Sequence, residues 1–363
     1  MVQFLSDGSP PIPKELAMKA VVLYRQEAGC VDLRDMPRPT IGPDEVLVEV
    51  ETCGICGSEI HIYHNEVSYR LSPPLILGHE FAGVIVEKGP QVQGFEIGDR
   101  ITAETHAHIC GRCRFCRAGE YNVCPERRSF GFTANGAFAR YVAVRQGILH
   151  HVPEGVPLAE AALTEPLCVA YNALVEKSHL RPGDLVAILG PGPIGLFCVQ
   201  VARLLGAGTI LVSGIGRDRE RLELARQLGA DVIVNAEEAD PVQRVLDLSG
   251  GVGADLVIDA AGPSATLKQS LAMVRRNGQV TKIGWGPEPV GFSLDPIIEK
   301  VITLQGAFSH TWHTWERVLG LMAQGRLRTA PLISARMPIS RWREGFDAVE
   351  SGRAVKVLLD PED

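Results

Sequence analysis

What the 363-residue chain lacks narrows its class first. It has no apolar run of the ~18 residues that a membrane-spanning helix needs, so no membrane partner is expected. No apolar signal core follows Met1, so export is not expected and a cytoplasmic location is. Basic residues are not in excess: 36 Lys and Arg stand against 43 Asp and Glu, for a net charge of −7. That balance gives no electrostatic footprint for nucleic acid. What is present is ordinary for a globular protein, with 45% hydrophobic and 22% charged residues, and the length suggests two domains with ample core.

Residues 1–17 are rich in Pro, Gly and Ser and read as an arm. MKAVVLYR, DEVLVEVETCGIC, EFAGVIVEKG, IGDRITAE and AFARYVAVR then read as short strands between turn signals, the pattern of a barrel-like β domain. After Pro153 the texture changes. AEAALTEPLCVAYNALV is helical in pattern. The apolar strands LVAIL, TILVSG, DVIVN, DLVIDAAG and GQVTKIGW then alternate with the helical stretches RERLELARQLGA and SATLKQSLAMVRR. Such alternation predicts a doubly wound parallel sheet, making the chain α/β in its second part.

Nine cysteines are an odd count for a disulfide framework. Cys110, Cys113, Cys116 and Cys124 form C-x2-C-x2-C-x7-C, a spacing that lets one tight loop point four thiolates at a single Zn²⁺. Four thiolates leave no open position, so this site is structural. Arg112, Arg114 and Arg117 lie beside the ligands to offset its charge. Cys30, Cys53, Cys168 and Cys198 read as buried small hydrophobes, with Cys53 pointing away from the site beside it. His106, His108, His150 and His151 read as surface or packing residues.

Residues 51–80 hold a second constellation, with Cys56, Ser58, His61, His79 and Glu80 set among glycines. Zn²⁺ accepts such a mixture of S, N and O donors, and a catalytic site keeps one position open. In the second part, Gly190, Gly192 and Gly195 fit G-x-G-x-x-G with a strand before and a helix after, and Pro193 and Ile194 lie within it. This is the pyrophosphate cradle of a dinucleotide fold. NAD-binding folds place an acid about 20 residues further on to hold the ribose. Here that place falls on Gly214 or Gly216, with Arg217 and Arg219 close by, which favours NADP(H) over NAD(H). The alternatives are that Asp218 curls back to the ribose, or that the arginines are a solvated helix start.

The motifs CGICGSEIH, GHEFAGVI, IGDRI, the four-cysteine loop, TEPLCVA, GPGPIG and LISARMPI resemble those of the zinc-containing medium-chain alcohol and polyol dehydrogenases, of the sorbitol and threonine dehydrogenase type. The resemblance runs from about Met18 to about Pro361. It implies a GroES-like β-barrel catalytic domain, over 18–168 and 308–363, and a Rossmann domain over 169–307. It also implies one catalytic and one structural zinc per chain, NAD(P), and a homo-oligomer, dimer or tetramer. By the same resemblance Cys56 and His79 are catalytic zinc ligands, and Glu80 is the next ligand or an exchanging carboxylate. Glu165 is a direct or water-bridged ligand, and Ser58 and His61 relay the alcohol proton toward solvent. Glu59 stands where the family usually has Asp, which orients the ligating histidine.

Glu165 in place of a thiolate makes the metal harder, which suits diols and polyols. Tyr63, His64, Phe132, Trp285, Phe308, His310 and Trp312 are candidate pocket residues. Sorbitol dehydrogenases resembling this chain carry Arg-Tyr where it has Ser309-His310, and Tyr where it has Ile62. Threonine dehydrogenases have Asp at the place of Glu165 and an Arg near His310. The implied small-molecule substrate is therefore a secondary alcohol in a neutral polyol, sugar or cyclitol. A threonine 3-dehydrogenase-like or general secondary alcohol dehydrogenase is the alternative. A non-catalytic zinc-ribbon and nucleotide-sensing module is the alternative of another class.

Overall fold

The change of texture after Pro153 is a change of architecture. In the computed structural model, which describes residues 17–286 and 288–362, contacts divide the chain into two units. One holds the chain up to Leu163 with Ala335–Glu350 and the C-terminal segment from Lys356. The other holds Thr164–Ser334 and Ser351–Val355. The joints therefore fall at 163/164 and 334/335, where the sequence reading has 168/169 and 307/308. The N-terminal arm lies outside the described residues, apart from Ala17, which opens a strand. Among the described residues no helix is long and apolar enough to cross a membrane.

The first unit is β-rich. Ala17–Leu23 pairs antiparallel with Val31–Pro37 and with Leu75–Ile76. A seven-stranded sheet runs Ile333–Pro338, Lys356–Asp360, Glu45–Gly54, Glu80–Lys88, Arg100–Ala103 and Leu149–His151, with Tyr141–Arg145 also paired to Glu45–Gly54. The pairing that matters most sets Gly54 opposite Glu80 and Leu358 opposite Gly54. In an antiparallel pair, residues just past 54 then lie beside residues just before 80. Cys56 and His79 consequently leave the sheet at the same end, although 22 residues separate them in the chain.

The second unit is a six-stranded parallel sheet. Numbered along the chain from Leu185–Leu189, its strands lie in the order 3-2-1-4-5-6, the dinucleotide-fold order. Ala187, Leu189, Leu211, Val257 and Val280 form its core with residues of the covering helices. The stretch SATLKQSLAMVRR divides. Its helix ends at Met273, and Val274 already pairs with Ala254 in a strand reaching Lys282. Val274 is a β-branched residue with a sheet partner waiting, and tertiary pairing overrides helical pattern there. Residues 308–334 group with this unit through the helix Trp312–Ala323, which packs on Thr164–Tyr171. Its buried residues Trp315, Val318, Leu319 and Met322 follow helical spacing, and each contributes about 1.5–3 kcal/mol by burial.

At the head of the sheet, Gly190 follows strand Leu185–Leu189 with φ +96°, and Gly192 caps the helix Pro193–Leu204. A Cβ on Gly195 would collide with the Gly190 carbonyl oxygen. Gly195→Ala is expected to cost roughly 3 kcal/mol of stability through this overpacking, read from the denaturant midpoint. A midpoint like that of the unaltered chain would show that the turn yields.

Candidate metal and dinucleotide sites

Strand Glu45–Gly54 runs out at the sheet end and the chain turns into the helix Gly57–Tyr63, with Cys56 at its cap. The backbone N–H of Cys56 donates to Glu59 Oε2 at 2.8 Å. The other oxygen, Oε1, lies 2.7 Å from His79 Nδ1. Glu59 is fully buried, so its charge is held by these two donors. With Nδ1–H on Glu59, Nε2 is the ligand atom of His79 when the ring is neutral. Burial is the largest influence on His79 and lowers its pKa, but the Glu59 carboxylate, with Cys56, reverses it and holds the imidazole well above its ordinary value. Ligand atoms of Cys56, Glu59 and His79 lie within 4.8 Å of one another, which is the donor chemistry of a zinc site. Glu59 thus reaches His79 despite its extra methylene.

Glu80, next to His79, is also fully buried. Its two carboxylate oxygens accept from Lys356 Nζ at 2.6 and 2.9 Å, and the same Nζ donates to the Ile55 carbonyl at 2.8 Å. Burial depresses the Lys356 pKa, but the charge of Glu80 outweighs it and the net shift is upward. Gly54 makes room for the pair, since a Cβ there would strike Glu80 Oε2. Ser58 Oγ is buried and has no hydrogen-bond partner among the described residues, so it is available to a bound group. His61 is half-exposed, with Nδ1 3.6 Å from Glu66. Phe132 packs its ring 5.2 Å from that of His79. Cys53 is fully buried, and burial pushes its thiol pKa well up, so it is no ready ligand.

Glu165 lies in the second unit, buried in the first turn of helix Thr164–Tyr171. Trp315 Nε1 donates to His310 Nδ1 at 2.8 Å, which leaves His310 Nε2–H facing Glu165 Oε1 at 3.1 Å. The carboxylate is thereby held in one orientation. Of the other aromatic candidates, Tyr63 packs with Trp342 and Phe346, and His64 pairs with Glu350 at 2.7 Å. Trp285 and Phe308 meet edge-on and stay partly exposed, as does Trp312.

The four-cysteine loop gathers its sulfurs within 4.8 Å of one another. Cys110 Sγ is 3.9 Å from Cys116 Sγ and 3.6 Å from Cys124 Sγ. A tetrahedron with Zn–S bonds near 2.3 Å has edges of about 3.8 Å, so the loop fits the metal. Backbone N–H groups of Cys110, Cys113 and Cys116 point at Sγ of Cys124, Cys110 and Cys113. Backbone donors from Arg112 and Cys113 lower the Cys110 thiol to about 7, whereas burial and neighbouring sulfurs push Cys116 up to about 12. Ionising all four together requires a cation among them. Arg112 pairs with Glu126 and Arg114 lies over Phe115. Behind the loop, His106 and His150 are fully buried around Glu104, which accepts from Tyr121 Oη at 2.9 Å.

In the second unit, Gly190 and Gly192 form the turn after the strand, and Pro193, Ile194 and Gly195 open the helix. Gly214 closes the second strand, Gly216 and Arg217 lie in the turn Gly216–Asp218, and Arg219 opens the next helix.

Comparison with known proteins gives this geometry its relatives. Residues 42–154 match the alcohol dehydrogenase GroES-like domain, and residues 193–324 match the zinc-binding dehydrogenase domain. The chain is 40% identical to a sorbitol dehydrogenase of Halalkalibacterium halodurans over 347 residues, covering 95% of this chain and all of the relative. The chain belongs to the zinc-containing medium-chain alcohol and polyol dehydrogenases. A D-arabitol-phosphate dehydrogenase of Enterococcus avium is 37% identical, over 90% of this chain and 92% of its own. A zinc-binding dehydrogenase of Sinorhizobium meliloti 1021, solved bound to NADP, superposes with a TM-score of 0.87 at 34% identity, over 95% of this chain and 99% of that one.

Within this dehydrogenase, Lys356 is the site-wall residue that sequence reasoning passes over. Its signal was a lone cation in the apolar strand AVKVLL, which needs a buried partner. Lys356→Met should cost about 3–5 kcal/mol, because it strands the buried Glu80 charge. Adding Glu80→Gln should recover most of that loss in urea unfolding. A double variant no more stable than the single one would mean that the pair is not the cause.

Proposed function

We propose that this dehydrogenase moves a hydride between NAD(P), with NADP(H) preferred, and a secondary alcohol carbon of a polyol, sugar or cyclitol. The observation that carries the reading is the Cys56–His79 pair, its imidazole fixed by buried Glu59 and its neighbour Ser58 Oγ buried without a partner among the described residues. Cys56 and His79 are the proposed ligands of the catalytic zinc, and Glu80 a further carboxylate beside them. A zinc ion bound there acts as a Lewis acid that makes an alcohol hydroxyl easier to deprotonate. The nicotinamide supplies the hydride chemistry, and the chain's part is to hold it. The chain's own residues do the rest. Glu59 holds the His79 tautomer, Phe132 shields one side of the imidazole, and Ser58 hands the hydroxyl proton on to His61 and so to solvent. A free Ser58 oxygen and a half-exposed His61 suit these two steps.

The cofactor preference rests on Gly216 and exposed Arg217, and the polyol class on the hard oxygen donors and the polyol-named relatives. Cys110, Cys113, Cys116 and Cys124 hold the structural zinc. A homo-oligomer, dimer or tetramer, is supported by the edge strand Thr303–Gly306 and the exposed apolar residues Ile298, Val301 and Leu304 around it. Nine free cysteines support a reducing compartment, the cytoplasm.

A screen of polyols, sugars and amino-alcohols with both nicotinamides tests the reading directly, and silence across the neutral polyols would overturn the substrate class. Cys56→Ser should abolish turnover and lower the zinc content from two to one per chain with melting unchanged; retained turnover would remove Cys56 from the site. Cys113→Ser should instead lose the other zinc and the folding free energy that goes with it, seen as a lower melting temperature. A variant that melts like the parent would show that the loop is not a clamp.

A further inference from the structure

The second strand of the dinucleotide sheet, Thr209–Gly214, ends without an acid, yet a carboxylate stands at its tip. Glu237 provides it from the loop after the neighbouring strand Val232–Asn235. Its Oε2 accepts from the Gly216 N–H at 3.1 Å. The same oxygen fills the space where a Cβ on Gly216 would begin. The loop is built to present it: Asn235 Oδ1 accepts from the Glu237 N–H at 3.2 Å, and Asn235 Nδ2 donates to Glu238 Oε1 at 2.8 Å.

Three neighbouring charged groups, Asp218, Arg219 and Arg221, have partners within the chain. Asp218 is buried, with Oδ2 accepting from the Ile215 N–H at 3.1 Å and Oδ1 3.4 Å from Arg221. It does not curl outward. Arg221 is turned inward as well, donating to the Ala354 carbonyl at 2.6 Å. Arg219 faces Glu238 at 3.6 Å. Arg217 is exposed and makes no ion pair among the described residues. Arg217 and Glu237 therefore offer an incoming ribose two opposed charges beside Gly216.

We propose that Glu237 is the residue that limits the preference for NADP(H), acting against Arg217. It substitutes, from the next crossover, for the acid missing at position 216. Its carboxylate accepts from a ribose 2′-OH, and it repels a 2′-phosphate that Arg217 attracts. Phosphate oxygens and the carboxylate also compete for the one Gly216 N–H. This rests on the dinucleotide reading above and adds the group that opposes NADP(H).

Glu237→Gln isolates the charge, because the amide oxygen still accepts from Gly216. Dissociation constants for NADPH and NADH are read by nicotinamide fluorescence on the zinc-loaded full chain, with no turnover needed. The variant should raise the preference for NADPH over NADH by about tenfold at low salt, and by less at high salt, as an exposed charge effect does. Arg217→Ala should move the preference the opposite way. A Glu237→Gln preference within about twofold of the parent, or shifted toward NADH, overturns the proposal. If the parent chain binds neither coenzyme, the dinucleotide reading itself falls, and this inference with it.

Discussion

The buried carboxylate of Glu59 is the constraint on which the metal site depends. It is shut off from bulk solvent, and its two oxygens are satisfied by protein donors, the Cys56 amide and the His79 ring. One side chain thereby fixes the turn that carries the sulfur and the tautomer of the imidazole. The antiparallel register of Gly54 with Glu80 brings those two groups to one sheet end, and Glu59 then orients them. A donor pair held in this way loses little freedom when it takes a metal, which is what preorganisation means at such a site.

Most of the architecture was legible because its signals are local. Alternating strands, strand–glycine–helix turns and ligand-type residues at close spacing each declare themselves within about 15 residues. Cys110 to Cys124 and Gly190 to Gly195 are read in this way. The stretch SATLKQSLAMVRR misleads for the same reason: its local pattern is helical to the end, and only pairing with Ala254 pulls Val274 into a strand.

What was illegible is long-range. Lys356 stands 276 residues from Glu80, and nothing near either residue names the other. Glu237 meets Gly216 only because parallel strands two and three lie side by side, so a rule that looks for an acid on the second strand alone passes it over. The grouping of 308–334 with the second unit likewise turns on the packing of Trp315 and its neighbours, a contact that periodicity marks as buried without saying against what.

Charge balance joins these observations. Around the Cys56 site the buried acids Glu59 and Glu80 face, among the described residues, one buried cation, Lys356. Lys356 is spent on Glu80. Glu59 is left with neutral donors, and a Cys56 thiolate would add a second negative charge beside it. The group then lacks two positive charges, and a low-dielectric interior makes such a deficit costly. The raised proton affinity of His79 expresses the same shortage, since a proton on the imidazole answers part of it. A divalent cation offsets the charges of Glu59 and the Cys56 thiolate and leaves the imidazole neutral to act as a ligand. The residues that a zinc ion would touch and those that only balance it are thus one electrostatic unit, and Lys356 belongs to it as fully as Cys56 does.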